Sequence, residues 1–561
     1  MVSFISNHSW ISEPSFVVLR RHLLTSFDRF WVENMHGNRK ISEYAPDGRT
    51  SETVFATPGF SVGIQQGVAV SLWVKHLKRT GQPIVRFRDD LNDAKAVERR
   101  AHLIASLDAK DFDAQYEVSN PAKENRWSFR PSDVASAYLA WPATTDLCAT
   151  TPYNGPVERR GFALISIMRN SLEDRISAYF DVTVSNDEIN KIYPSLMMTG
   201  NRIVGPEARK KIIREFRYDN SRIVRYPFKP FDVRWCYLEN LRPLFSEPSP
   251  QLLDQRFAGN SFFITRDTAD KDPEGPPFFF SPFVCDYDCI SGHARHFPLR
   301  LKISPTPRSG TSQTPLSFGE TKITANVSPS ARAYLALLGL PDADADQQTA
   351  ELIWYHALAI GYSPAYLTEN ADGIRQDWPR IPLPKLKELL ITSAALGRQV
   401  AGLLDPETPV TGVTAGKIRD ELKHIAVFQR ADGKPANPDA GDLDLTAGWG
   451  HAGKGGVKMP GKGKLTRRDN GTLDVFLNDM ACWRDVPETV WNYTIGGYQV
   501  IKKWLSYREK PLLGRGLTPD EVRYVTEMAR RVAALIALQE SLDANYREVV
   551  QATYAWVKEV R

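Results

Sequence analysis

Val2, Phe4 and Ile5 open the chain with the pattern of a buried strand. After the turn at Pro14-Ser15-Phe16, Leu19, Leu23 and Leu24 fall near helical spacing, and Phe30-Trp31-Val32 make a second strand-like run that ends at His36-Gly37-Asn38. The order strand, helix, strand predicts a βαβ fragment of a parallel sheet. Nothing precedes the first strand to bury it, so the pattern reads as the middle of a domain whose earlier part is encoded upstream. Beyond the polar turn Tyr44-Ala45-Pro46-Asp47-Gly48, the runs Thr53-Val54-Phe55-Ala56 and GIQQGVAVSLWVKH supply two more strands for the same sheet.

Downstream of about residue 105 the pattern weakens, with Trp127 and Trp141 among mixed helix signals and no repeat. Short aromatic strands broken by proline, FKPFDVRWCYLE and PFFFSPFVCDYD, predict an α+β region that reaches about residue 300. Ser, Thr, Pro and Gly crowd residues 302–330, the composition of an exposed loop. Helical spacing returns in SARAYLALLGL and AELIWYHALAIGYSPAYL, and near the end Val525, Met528, Val532, Leu535 and Leu538 form a stripe expected to be core. The expected division is an α/β fragment at 1–105, a mixed connecting region at 106–220, an α+β region at 221–400 and a region ending in helices at 401–561.

Composition narrows the class only a little. Over 561 residues, 42% hydrophobic and 24% charged residues are the proportions of a globular protein of roughly three or four domains, not of a disordered or fibrous chain. Lys plus Arg exceed Asp plus Glu by 71 − 66 = 5. Such a surplus matters only where it gathers. It gathers between Asn201 and Arg234, where ten basic residues, Arg225, Lys229 and Arg234 among them, face only Glu207, Glu215, Asp219 and Asp232. Five scattered cysteines, Cys148, Cys236, Cys285, Cys289 and Cys482, fit a reducing, cytoplasmic setting better than a disulfide scaffold. No run approaches the ~18 apolar residues of a membrane span, and the start lacks the pattern of a signal peptide.

Gly448-Trp449-Gly450-His451-Ala452-Gly453 has the spacing of a dinucleotide or S-adenosylmethionine loop, and Gly456, Gly461 and Lys462 match P-loop spacing. Both fail on context. Glycines and a proline follow where a helix must offer its N-terminal N–H groups, and Gly463 stands where the magnesium-binding hydroxyl belongs. What remains is a run of basic residues with no acid between Gly453 and Arg468, including Lys454, Lys458, Lys462 and Lys464. A solvated loop and a phosphate-contacting loop are both open readings of it. Cys285, Cys289, His293 and His296 are zinc-ligand types, but they crowd into one short stretch without the loop that separates the ligand pairs of structural fingers, so no metal site is expected. In Gly275-Pro276-Pro277-Phe278, glycine stands where an amino-methyltransferase needs a side-chain oxygen to accept from the exocyclic amine. His8, His36 and His356 are isolated and read as packing or capping residues.

The stretches SFISNHSWISEPSFVVLRRHLL, MHGN, TVFATPGFSVGIQQGVAVSLWVK, YPFKPFDVRWCYLE, WPRIPLP and ETVWNYTIGGYQVIKKWLSYRE, in this order, resemble the C-terminal portion of adenine-N6 DNA methyltransferases of the Type ISP restriction-modification group and their phage-defence relatives. The resemblance implies that residues 1–105 are the last strands of a methyltransferase-type sheet, 221–400 a target-recognition region and 401–561 a C-terminal specificity region. It also implies double-stranded DNA as partner and S-adenosylmethionine as cofactor of the complete enzyme. This chain lacks the family's cofactor loop and Asn-Pro-Pro-Tyr site, so alone it is expected to bind no cofactor and to be inactive. Phe55 resembles the family's aromatic that stacks on a flipped adenine, with a plain core role equally open. Arg225, Lys229 and Arg234 become candidate phosphate or base contacts, although YPFKPFDVRW is equally open as a structural hinge. The chain is then a cut reading frame or a half completed in trans by a separately encoded methyltransferase half, and a partner that is such a half or a nuclease or translocase is left open. The alternatives are a free-standing, non-enzymatic DNA-binding specificity subunit and an unrelated α/β protein.

Overall fold

The computed structural model describes residues 1–38, 43, 45–46, 51–54, 66–79, 81–200, 203–269, 271, 273–303, 321–453 and 458–557. They form two units, Met1–Trp141 with Asn370–Arg380, and Pro142–Glu369 with Ile381–Arg561.

The first unit holds β1 (Val2–Asn7), α1 (Val17–Ser26), β2 (Arg29–Asn34), β3 (Val68–Val74), β4 (Ile84–Arg88), α2 (Ala96–Ala105) and β5 (Glu117–Ser119). Their order in the sheet is β1-β3-β2-β4-β5, with β2 and β4 parallel and β3 antiparallel to both β1 and β2. This corrects the expected βαβ unit. The strands on either side of α1 are not neighbours, because β3 takes the place between them. Nor is β1 buried: it pairs on one side only among the described residues, and Phe4 and Ile5 are 46% and 61% exposed. An apolar run cannot by itself tell an edge strand from a central one. Thr53 and Val54 lie outside any strand, and Phe55 and Ala56 fall outside the described residues.

The core of this unit is aromatic. Trp10 and Phe30 meet Phe129 edge to face, with centroids 5.4 and 5.0 Å apart, beside Val32 and Val85. The buried Arg20 of α1 donates to the carbonyls of Trp10, Glu13 and Arg126, the satisfaction that a buried guanidinium requires.

The second unit is a mixture of helices and small antiparallel sheets. β6 (Tyr153–Asn154) joins β10 (Phe262–Thr265), β11 (Phe279–Ser281) and β12 (Arg295–Pro298), while β7 (Ile165–Ser166), β8 (Ile223–Lys229) and β9 (Asp232–Tyr237) form a three-stranded sheet. Phe278 of the Pro-Pro segment is fully buried against Phe263, so that segment is core. β13 (Arg300–Ile303) pairs with β14 (Lys322–Ala325). The helices α3 (Gly205–Glu215), α4 (Gln347–Gly361) and α5 (Lys387–Leu404) follow in chain order. α4 and α5 approach so closely that a Cβ on Gly397 would sit 1.8 Å from the Tyr355 carbonyl oxygen, and His356 bridges Ser393 and the Pro382 carbonyl between them. That is the packing role expected of His356.

The C-terminal region is richer in strand than its sequence suggests. β15 (Val427–Arg430), β18 (Leu465–Arg467), β19 (Thr472–Phe476) and β20 (Ala481–Pro487) form a sheet, β16 (Gly450–Ala452) pairs with β17 (Lys458–Pro460), and β21 (Thr494–Ile495) pairs with β22 (Tyr498–Gln499). Helices α6 (Val500–Ser506), α7 (Pro519–Ala537) and α8 (Gln539–Gln551) close the chain. α7 starts where Thr518 and Glu521 make a capping box with Pro519 in the first turn, and it buries Val525, Met528, Val532 and Leu535 as expected, whereas Leu538, at its C-terminal cap, is only half-buried.

Candidate functional site

Hairpin β8–β9 supplies the first part of a cationic cluster in the second unit. Arg225 lies opposite Trp235, its guanidinium 4.6 Å from the ring centroid, and donates two bonds to Glu407 at 2.6 and 2.7 Å. A bulge between Pro227 and Lys229 and the left-handed Phe231 (φ 60°) turn the chain into β9. Lys229 and Arg234 both point inward, at 4% and 3% exposure. The Lys229 ammonium donates to the Asp288 carbonyl and lies 4.5 Å from the Phe228 ring centroid. Arg234 lies 4.0 Å from Phe228 and 4.5 Å from Tyr507, with Nε and Nη2 donating to Asp232. Both charges therefore stand behind the surface rather than on it.

Segments distant in sequence complete the cluster. Gly496 and Gly497, with φ of 51° and 78°, make the tight turn of β21–β22, and their N–H groups donate to the carbonyls of Pro276 and Glu274. This fixes Tyr498 beside Lys271 and at the head of α6, which carries Lys503. The ammonium groups of Lys271, Lys229 and Lys503 lie 4.3, 4.9 and 5.4 Å from the Tyr498 ring centroid, and Lys503 lies 4.9 Å from Tyr507. Cations favour the electron-rich faces of these rings. From β17, Lys458 reaches to 5.8 Å from the Phe162 ring, and Arg508 donates to Asp232 at 2.8 Å.

The electrostatics of the cluster are one-sided. Asp232 is its buried acid, and among the described residues no carboxylate forms an ion pair with Lys503 or Lys458. Burial, then the charges of Lys229, Lys271 and Arg234, pull the Lys503 ammonium down to about 7, with Asp232 a partial counterweight. Lys458 is lowered by burial and by Arg234 and Arg508. Burial raises Asp286, hydrogen-bonded to Tyr226 behind the hairpin, to about 6 against the pull of Lys229. A positive field beside aromatic rings is what a polyanion with flat bases calls for.

Of the eight residues proposed from sequence, Lys229, Arg234 and Lys458 come together here. Arg225 stands apart with Glu407, and Lys464 pairs with Asp479 at 2.7 Å. Lys462 is exposed, and Phe55 and Lys454 lie outside the described residues. Sequence reasoning missed Lys271, Lys503, Tyr498 and Arg508. The only local signal was the alternation Tyr498, Lys503, Tyr507 within a motif already noted.

The rejected motifs have structural roles. Trp449 is buried, with its indole N–H on the Phe476 carbonyl and its backbone N–H on Glu509 at 2.5 Å, and Gly450 begins a strand rather than a helix. The cysteine–histidine stretch is dispersed: His296 accepts from the Cys285 N–H, while His293 stacks on Tyr287 and contacts Asp288. Among the described residues no group of three or more His, Cys, Asp or Glu could hold a metal ion. No helix there is long and apolar enough to cross a membrane.

A sequence model of the Type ISP C-terminal specificity domain matches residues 151–533, which contain the whole cluster. No curated protein matches the chain. Three solved structures share its fold. A nuclease-deletion mutant of the Type ISP restriction-modification enzyme LlaGI, in complex with a DNA substrate mimic, is 17% identical with a TM-score of 0.59 over 99% of this chain and 46% of that one. The ATP-dependent Type ISP enzyme LlaBIII bound to DNA is 14% identical with a TM-score of 0.60 over 97% and 32%, and the DrdV–DNA complex 18% with 0.60 over 99% and 51%. The chain thus spans between about a third and about half of the length of these proteins.

Proposed function

The chain belongs to the Type ISP C-terminal specificity domain family, and from that premise we propose that it is the DNA-recognition portion of an adenine-specific N6 methyltransferase in a restriction-modification or phage-defence system. The observation that carries the reading is the cationic, aromatic cluster inside the family-matched residues. Phosphate contacts supply affinity and position, and base contacts supply the sequence read. In this reading Lys271, Lys458 and Lys503 meet the backbone, with Lys462 and Lys464 as further exposed contacts, while the buried Lys229 and Arg234 hold the field from behind. Arg225 is kept as a contact that opens when Glu407 releases it.

The first unit is proposed as the closing part of a methyltransferase sheet. Its support is the mixed order β1-β3-β2-β4-β5 and the edge of β1 that is unpaired among the described residues, which suits addition of another strand from a separately encoded methyltransferase half. Phe55 would stack on the flipped adenine and S-adenosylmethionine would be held by that partner, with a nuclease or translocase as a further one. Five free thiols suit a cytoplasmic setting.

Fluorescence anisotropy with a labelled duplex, alongside transfer of label from S-adenosylmethionine, tests this reading. The chain alone is expected to bind duplex DNA at low salt and to transfer no methyl group. Absence of binding at low salt would refute DNA recognition, and methylation by the chain alone would refute the dependence on a partner. A free-standing specificity subunit differs in one result: a methyltransferase half restores no activity to it.

A further inference from the structure

The helix α3 (Gly205–Glu215), GPEARKKIIRE, is outside the aromatic cluster and carries charge of its own on one side. Gly205, Ala208, Arg209 and Ile212 are buried, and at about 100° per residue Lys210, Lys211 and Arg214 fall together on the opposite side, where all three are exposed. Glu207 shares that side in the first turn, where an acid suits the positive end of the helix dipole. The buried side fixes the helix. Arg209 donates to the Tyr179 carbonyl and to Asn186 Oδ1, each at 2.8 Å, and to the Asp181 carbonyl at 2.6 Å. Arg217 closes the last turn by donating to the carbonyls of Ile213 and Phe216 at 2.7 and 2.9 Å. The next arginines along the chain are neutralised, Arg222 by Asp219 and Glu239 and Arg225 by Glu407. The row on α3 is not. Among the described residues Lys210 and Lys211 have no ion pair, and Arg214, 77% exposed, has only its neighbour Glu215, a surface pair of little strength.

We propose that the face of α3 formed by Lys210, Lys211 and Arg214 is a second contact surface for the backbone of duplex DNA, apart from the cluster, with each side chain on one phosphate. This rests on the DNA-recognition reading and adds to it a surface that supplies affinity and orientation but reads no sequence. A phosphate backbone fits this face better than an acidic protein does. Protein interfaces are built on a buried apolar centre from which lysine is depleted, and the arc between Lys210 and Lys211 holds no apolar side chain. Because the helix is anchored from behind, the three charges are presented together without ordering a loop first.

The test measures duplex binding against salt for the full chain and for the triple variant Lys210→Met, Lys211→Met, Arg214→Met, with thermal unfolding alongside. Methionine keeps the helix preference of the residues it replaces. The slope of log affinity against log salt is expected to become shallower by about 2.7, so that between about 50 and about 200 mM salt the variant loses about 40-fold less affinity than the wild type. Lys191→Met, which removes an exposed lysine from the helix Asn186–Ile192, is expected to leave the slope unchanged. An unchanged slope in the triple variant, or an equal loss per charge in Lys191→Met, overturns the inference and leaves DNA recognition standing. A wild type that binds no duplex at low salt overturns both. If the triple variant keeps duplex binding and loses binding to poly-L-glutamate, the face belongs to an acidic protein and the inference falls.

Discussion

At the scale of single residues the most consequential group is an acid. Asp232 is 1% exposed and accepts from Arg234 through one carboxylate oxygen and from Arg508 through the other. Burial alone would raise its proton affinity, but the two guanidinium charges overcome this and hold the carboxyl well below the usual range. A lowered carboxylate value contributes stability that is present above the ordinary aspartate value near about 4 and is lost as pH falls through the folded value, which here means only in strong acid. Asp232→Ala leaves two buried guanidinium groups without their acid, and urea unfolding at neutral pH is expected to show a loss of about 3 to 5 kcal/mol. A loss below about 1 kcal/mol would contradict this arrangement. Part of the pair was open to sequence reading, since residues two apart on a strand share a face and Asp232 and Arg234 are so spaced. Arg508, 276 positions away from Asp232, was not. Hence the sequence offers Arg234 as a contact for DNA where the fold surrounds it with Phe228, Tyr507 and an acid.

At the scale of elements, the β21–β22 hairpin positions the site. A Cβ on Gly497 would meet the Ser291 side chain at 2.8 Å and Lys271 at 3.1 Å, in a backbone conformation with φ of 78° that side chains disfavour. Gly497→Ala is expected to cost about 1 to 2 kcal/mol and, by shifting Lys271, to weaken duplex binding as well. Thermal unfolding and anisotropy on the same variant check both, and unchanged binding would separate the hairpin from the interface. The glycine turn before a helix was legible because two adjacent glycines permit little else. The strand order of the first unit was not, because β3 is supplied by a segment more than thirty residues beyond β2 and inserts between strands that look sequential. The small sheets between Val427 and Gln499 were missed for another reason: strands of two to seven residues among glycines leave too short an alternation to register as a period.

At the scale of the whole molecule, a formal surplus of +5 hides a strongly uneven distribution. The basic stretch around Arg225 to Arg234 marks the hairpin that enters the proposed cluster, yet Lys271, Lys458 and Lys503 join it from segments that no local window unites. The claim that this cluster carries DNA recognition is tested most directly by the salt dependence of duplex binding. The measurement is the slope of log affinity against log salt for the full chain and for the double variant Lys271→Met with Lys458→Met, both with wild-type thermal unfolding. The slope is expected to become shallower by about two, with weaker binding to every duplex sequence, because each lysine lost is one phosphate contact and its released counterion lost. An unchanged slope and unchanged affinity in the double variant would place the DNA elsewhere on the protein and contradict the account.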